Sequence, residues 1–306
     1  MMSSWNRVAT MPMHQTLFSA IARSQERLAD VQQQMTTGKK APTYAALGTE
    51  AVRLLSTHTM MAKQEAQGAV AARVGTTLSL MDAQISGIED SMMSLRRTLL
   101  DAVGTGTTTG VQEAAEEAFS HFRSALNADE GGAPLFAGSQ TAQPPFAPAN
   151  LAAAAGVPTP SAFTNDDLKA GARIADGVDV AYGITASELG GELFDAFRTL
   201  AEAGAFGDKP NPTQKTALNT AIGQIDSGLA SLRKLNAENG RRQAQIETLA
   251  SRAEGRTLVL RKLIEANEDA DMAEVASEIV QRQTTLQASY TMFSRLSSLS
   301  LVNFLR

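Results

Sequence analysis

No cysteine occurs in the 306 residues, which excludes both a disulfide framework and a thiolate zinc site. Aromatic residues make up only 5% of the chain, with a single tryptophan, Trp5; so few large flat side chains favour helix packed on helix over a large α/β core. The only histidines are His14, His58 and His121. None stands four residues from another or in a His-Glu-x-x-His pattern, so neither a catalytic zinc nor a histidine-based triad is expected. The chain reads as a non-enzyme with no cofactor. No run approaches the roughly 20 apolar residues that span a bilayer, so no membrane insertion is expected. Met1 to Gln15 lacks the apolar core of a secretory signal peptide, and export, if it occurs, is expected without a cleaved signal. The net charge is −5, with lysine and arginine interspersed among acids, which leaves no basic footprint for nucleic acid.

What is present is helical periodicity. The hydrophobic fraction is 43%, and the length exceeds the usual size of one hydrophobic core, so two or more domains are expected. Near the start, Leu17, Ile21, Leu28, Val31 and Met35 fall on one stripe, with Ser24 filling a position. Near the end, Met272, Val275, Ile279, Leu286, Phe293 and Leu296 do the same, with Arg282 and Ser289 at seam positions. Four-three spacing of this kind suits packing against another helix. Both ends are therefore predicted to pair with each other or with neighbouring copies. The candidate assembly residues are these eleven apolar ones together with Tyr290, Leu299 and Leu301.

Between the ends, the spacing predicts a first helix over about Thr10 to Thr37, stopped at Gly38, and a break at Ala41 to Tyr44. A weaker helical stretch covers Glu50 to Ala66, with a partial stripe of Val52, Leu55, Thr59 and Lys63. It continues into a strong stripe of Val74, Leu78, Met81, Ile85, Ile88, Met92, Leu95 and Leu99. Another helix is predicted from Val111 to Ala128. From Asp129 to Tyr182 glycines and prolines forbid long helices, and Phe136, Phe146, Phe163 and the alternating Val178, Val180 and Tyr182 suggest short strands. Helical spacing returns at Leu193, Phe194, Phe197 and Leu200. It resumes at Leu218, Ile222, Ile225, Leu229 and Leu232, then runs through Ile246 and Leu249 to Leu258 and Leu263. A terminal helix over Thr257 to Asn303 has a candidate interruption at Asn267-Glu268-Asp269.

The expected fold is mainly α: a long helical bundle or coiled coil of N- and C-terminal helices with a small β-rich central insert. Residues 1–40 and 262–306 form the terminal paired-helix domain, 41–130 and 186–261 the helical core, and 131–185 the insert.

Other features have plain readings. The Gly104 to Gly110 run follows a helix and has no lysine, so it is a turn rather than a phosphate cradle. Met60-Met61 and Met92-Met93 suit adaptable core packing. Arg241-Arg242 reads either as an intersubunit contact or as a solvated helix face. The glutamines on the terminal seams, among them Gln25, Gln32 to Gln34 and Gln287, either set register and line a wet channel or solvate an outer face.

Three segments carry a family resemblance. They are Leu28-Ala-Asp-Val-Gln-Gln-Gln-Met-Thr-Thr-Gly-Lys-Lys40, then Leu135-Phe-Ala-Gly-Ser-Gln-Thr-Ala-Gln-Pro-Pro-Phe146. The third is Asp271-Met-Ala-Glu274 with Leu286-Gln-Ala-Ser-Tyr290, Phe293 and Leu299 to Leu305. Together they resemble the flagellin superfamily of bacterial axial flagellar proteins. Leu-Gln-Ala-Ser-Tyr with a Leu-Ser-Leu finish is similar to the hook-associated branch rather than to filament flagellins.

The resemblance implies a structural, secreted component of the flagellum that links hook to filament and acts in motility. It also implies self-assembly into a ring or tube and contact with hook-associated protein and flagellin. Passage through the flagellar export apparatus, with a chaperone, is implied as well. A filament flagellin is the alternative. A cytoplasmic coiled-coil scaffold is a remote one, and it predicts protease-resistant ends in the monomer.

Overall fold

The computed structural model describes residues 5–41, 43 and 48–302, with side chains for 15–41, 43 and 48–295. Among these, no helix is long and apolar enough to cross a membrane. The helices are α1 (Trp5–Thr37), α2 (Glu50–Thr105), α3 (Val111–Leu126), the one-turn α4 (Thr159–Ala162), α5 (Ala186–Glu202), α6 (Pro212–Glu268) and α7 (Met272–Val302). Two small antiparallel pairs interrupt them: β1 (Asp129–Glu130) with β2 (Ala133–Pro134), and β3 (Ala170–Ala175) with β4 (Val178–Tyr182). The chain is thus mainly α with small sheets in the middle. It divides into two compact units, Met1–Lys63 with Arg256–Arg306, and Gln64–Gly255. These divisions fall inside α2 and α6, not at residues 40 and 262 where sequence pattern placed the edge of the terminal domain.

In the Gln64–Gly255 unit the strong stripe of α2 is buried throughout, from Val74 to Leu99. It runs antiparallel to α6: Arg96 pairs with Asp226, Arg233 with Glu89 at 2.6 Å, and Asn239 Nδ2 donates to the Leu78 carbonyl at 3.0 Å. Leu218, Ile225, Leu229 and Leu232 of α6 share this core with α3 and α5. The few aromatics are concentrated. Phe146 touches Phe119, Phe122, Phe163 and Phe194 with ring centroids 5.3–5.8 Å apart. Edge-on packing against Phe122 and Phe194 and tilted packing against Phe119 and Phe163 anchor the surrounding irregular chain.

The β-bearing segment is therefore part of this core rather than a separate insert over 131–185. Phe136, Phe146, Ile174 and Ile184 are buried in the same cluster as the helices. Phe136 lies outside the strands, and Phe146 and Phe163 meet only as an isolated bridge. Gln67 Nε2 donates to Asp176 Oδ1 at the hairpin turn, 3.1 Å away, and Arg242 Nη1 donates to the Ala181 carbonyl at 3.1 Å. Arg242 thus holds β4 to α6.

The motif Leu135-Phe-Ala-Gly-Ser139 has a local physical basis. Leu135, Phe136 and Ala137 are buried, and the chain then turns at Gly138 with φ +65°. A Cβ there would lie 2.2 Å from Asp166 Oδ1 and 2.7 Å from the Asp166 carbonyl oxygen, so only glycine fits. Asp166 accepts from the Ser139 amide at 2.8 Å, the Ser139 hydroxyl and the Leu168 amide at 3.2 Å. Those donors, the Ser139 hydroxyl foremost, hold its carboxyl at about 2, below the ordinary 3.8.

Two sequence-read stripes change. In early α2, Val52 and Leu55 are 74% and 47% exposed, whereas Leu54 is 3% exposed. The inward positions run Leu54, His58, Met61, Gln64, Gln67 and Ala71, continuous with Val74. Three of these six are polar, so hydrophobicity alone points to the wrong face. In late α6, Leu258 and Leu263 are exposed, while Ala253 and Ile264 are buried.

Candidate functional site

The terminal unit holds the residues expected to mediate assembly. Helix α1 runs antiparallel to α7 and packs along it: Lys39 bridges Asp269, Gln25 Nε2 donates to the Tyr290 hydroxyl, and the Phe18 and Phe293 rings meet edge-on at 6.0 Å. Ile21, Val31 and Val275 are buried between helices. Leu17, Leu28, Ile279, Leu286 and Phe293 are half-buried. Met35, Met272 and Tyr290 are exposed. Leu296, Leu299 and Leu301 lie in α7 but outside the described side chains; the side chain of His14, in α1, is likewise outside them, and Asn303 to Leu305 fall outside the described residues.

At the inner end of the pair, the chain is clasped. Gly38, at φ +69°, ends α1 by donating its amide to the Gln34 carbonyl at 2.8 Å, the left-handed helix stop that glycine favours. The following residues then pair with the break between α6 and α7. The Lys40 amide donates to the Glu268 carbonyl at 2.7 Å, and the Ala270 amide donates to the Gly38 carbonyl at 2.9 Å. Side chains close over this backbone bridge. Lys39 Nζ lies 2.6 Å from Asp269 Oδ1 and 3.1 Å from Glu268 Oε2, and His58 Nε2 lies 2.7 Å from Glu268 Oε1.

The clasp sets its own charges. Hydrogen bonds to Asp269 and then Glu268 raise the Lys39 pKa. Burial works to raise that of Glu268, but the bonds from His58 and Lys39 outweigh it and leave the carboxyl below its ordinary 4.5. The break at residues 269–271 ends with Asp271 as cap, its Oδ1 accepting from the Ala273 amide at 2.9 Å. The sequence pattern located this break and the Gly38 stop separately. Their union and the His58–Glu268 pair were missed, because ion pairs between residues 210 apart leave no periodic signal.

Among the described residues, no group of three or more histidines, aspartates or glutamates could hold a metal ion. The site is two antiparallel helices with a charged clasp at one end.

Comparison with known proteins agrees with this architecture. Residues 222–305 match the bacterial flagellin C-terminal helical region. No curated protein sequence matches the chain. A solved structure assigned as a flagellar hook-associated protein from Vibrio parahaemolyticus superposes with a TM-score of 0.59 at 21% identity, covering 72% of this chain and 97% of that one. FlgL of Bacillus cereus gives 0.54 at 13% identity, with 69% and 98% covered. FlgL of Xanthomonas campestris gives 0.52 at 12% identity, with 67% and 98% covered. Residues 222–305 thus resemble the bacterial flagellin C-terminal helical region, and the chain shares its fold with the flagellar hook-associated proteins.

Proposed function

We propose that this chain is a non-enzymatic structural subunit of the bacterial flagellum that joins hook to filament, assembling through α1 and α7. The observation that carries the reading is the apolar surface left on the terminal pair. Phe18, Val280 and Met292 are 66%, 63% and 65% exposed, and Met35 and Met272 stand out beside them. Large apolar side chains left exposed along one helix pair are available to further helices, and many copies stacked together would bury them at once, so that assembly proceeds by mass action. The likeness in fold to hook-associated proteins, over nearly their whole length, supports the junction as the place of action. The partners are other copies of the chain in a ring or tube, with hook-associated protein and flagellin on either side. The expected route is the flagellar export apparatus with a chaperone, to a position outside the cell.

A second reading, a filament flagellin, is favoured by the match of residues 222–305 to the flagellin C-terminal region. Immunogold labelling of intact flagella separates the two. A band at the end of the hook is expected; label along the filament would favour the second reading, and flagella without label would overturn both.

A further inference from the structure

One edge of the β3/β4 hairpin is met by α6, and the other is open among the described residues. The Ala181 carbonyl accepts from Arg242 Nη1, outside the hairpin. Ala181 and its partner Gly171 therefore form a pair whose backbone groups point away from each other. Because the pairing alternates along an antiparallel ladder, the N–H and C=O of Gly171 and of Arg173 lie on the free edge of β3. β3 pairs only with β4, and among the described residues no other backbone group meets that edge. Such an edge is a template for one more strand.

Where β3 begins, a cleft of about 390 Å³ opens, with Leu168 and Ala170 on one wall and Ala133 and Pro134 of β2 on another. Leu168 is 65% exposed. Arg73 of α2 also lines the cleft; it is exposed, and its side chain has no hydrogen bond or ion pair among the described residues. The other charged groups there are engaged: Glu130 accepts from the Thr77 hydroxyl at 2.7 Å, and Lys169 pairs with Glu188 at 3.0 Å. One cation is thus left without a counter-charge beside an uncovered leucine and an open backbone edge.

We propose that this cleft binds an extended segment of a partner protein, which adds as a strand to β3 and carries an apolar residue and a carboxylate two positions apart. Successive residues of a strand point to opposite faces. Ala172 and Ile174 pack on the core, and Leu168 and Ala170 share their parity, so every second residue of the added strand faces the cleft. One of these covers Leu168 and its neighbour on that face sets a carboxylate on Arg73, while backbone bonds to Gly171 and Arg173 supply affinity whatever the sequence. A second β3 does not fit. Centred on Gly171, it sets Lys169 of each strand opposite Arg173 of the other, and its inward positions hold no acid for Arg73. The contact lies within the Gln64–Gly255 unit and uses neither α1 nor α7, so it is independent of the assembly reading.

The peptide acetyl-Thr-Val-Thr-Glu-Thr-Val-Thr-amide tests it, titrated into the isotope-labelled full chain while amide hydrogen exchange is followed by NMR. The Gly171 and Arg173 amides should exchange freely in the protein alone and gain on the order of tenfold protection in excess peptide. A peptide with Lys in place of Glu should need about tenfold higher concentration, and Arg73→Glu should reverse that preference. Position 73 is exposed, so this variant should keep the parent circular dichroism. Gly171→Pro, which removes an outward N–H from an edge strand, should weaken binding of the Glu peptide by a similar factor.

Binding of neither peptide, equal binding of both, or binding that leaves the two amides unprotected would overturn the proposal. So would protection that rises with protein concentration in the absence of peptide, since the occupant would then be a second copy.

Discussion

Lys39 and Asp269 lie 230 residues apart in the chain, yet they form an antiparallel backbone bridge and an ion pair of 2.6 Å at the inner end of the α1/α7 pair. Beside them, Glu268 receives both Lys39 and His58. The two carboxylates differ in setting. The Asp269 side chain is 45% exposed, whereas that of Glu268 is 11% exposed.

That difference sets the outcome of substitution. Exposed ion pairs contribute little, so Asp269→Ala should leave the clasp nearly unchanged. Glu268→Ala removes two partners from a mostly covered position and should weaken it by about 1 kcal/mol, roughly a fivefold change. Hydrogen exchange at the Ala270 amide, which donates to the Gly38 carbonyl, measures the clasp directly. Equal exchange in both variants would show that the backbone bridge alone holds the junction.

Acid should release the Asp166 turn late. The carboxyl sits at about 2 against an ordinary 3.8, so its ionised form is the one the folded turn favours. The stabilisation it gives is fully present above pH 3.8 and is lost as pH falls through about 2. An NMR titration of the Asp166 side chain should show this depressed midpoint, and Ser139→Ala should move it back toward 3.8. A midpoint near 3.8 in the parent protein would mean that the Ser139 bonds do not hold in solution.

Gly138→Ala tests the same turn by shape. The added methyl meets the carboxyl and carbonyl oxygens of Asp166, at a left-handed backbone angle. The clash and the angle together should cost about 2–3 kcal/mol, seen as a lowered thermal midpoint of the Gln64–Gly255 unit. A substitution without effect would mean that the turn relaxes around Cβ.

Removing residues 286–306 deletes the part of α7 that faces the early turns of α1, including Tyr290 and Phe293. The core stripe from Val74 to Leu99 is untouched. Helical circular dichroism of the remainder should persist in proportion to length, while incorporation into flagella is lost. Normal flagella from the truncated protein would remove α7 from the assembly.

How much of this was legible in the sequence depended on which side chains line each face. The stripe from Val74 to Leu99 could be read because every inward position is apolar, and the breaks at Gly38 and near Glu268 because each announces itself locally. Early α2 could not, since His58, Gln64 and Gln67 face inward and Val52 outward. Residues 131–185 read as a separate insert because glycine and proline mark irregular backbone. Those residues say nothing of where Phe146 will go, and Phe146 goes into the helical core.

For the terminal unit, the α1 and α7 seams and the glycine stop are properties of the sequence by itself, because helical periodicity turns spacing into a face. Which faces meet was decided only by tertiary structure. The antiparallel register of α1 on α7, the union of Lys39 with Glu268 and Asp269, and the joining of His58 to that cluster depend on residues more than 200 positions apart. Hydrogen bonds and ion pairs act over a few ångströms of space, and no local pattern in the chain records which distant segments folding will bring within that range.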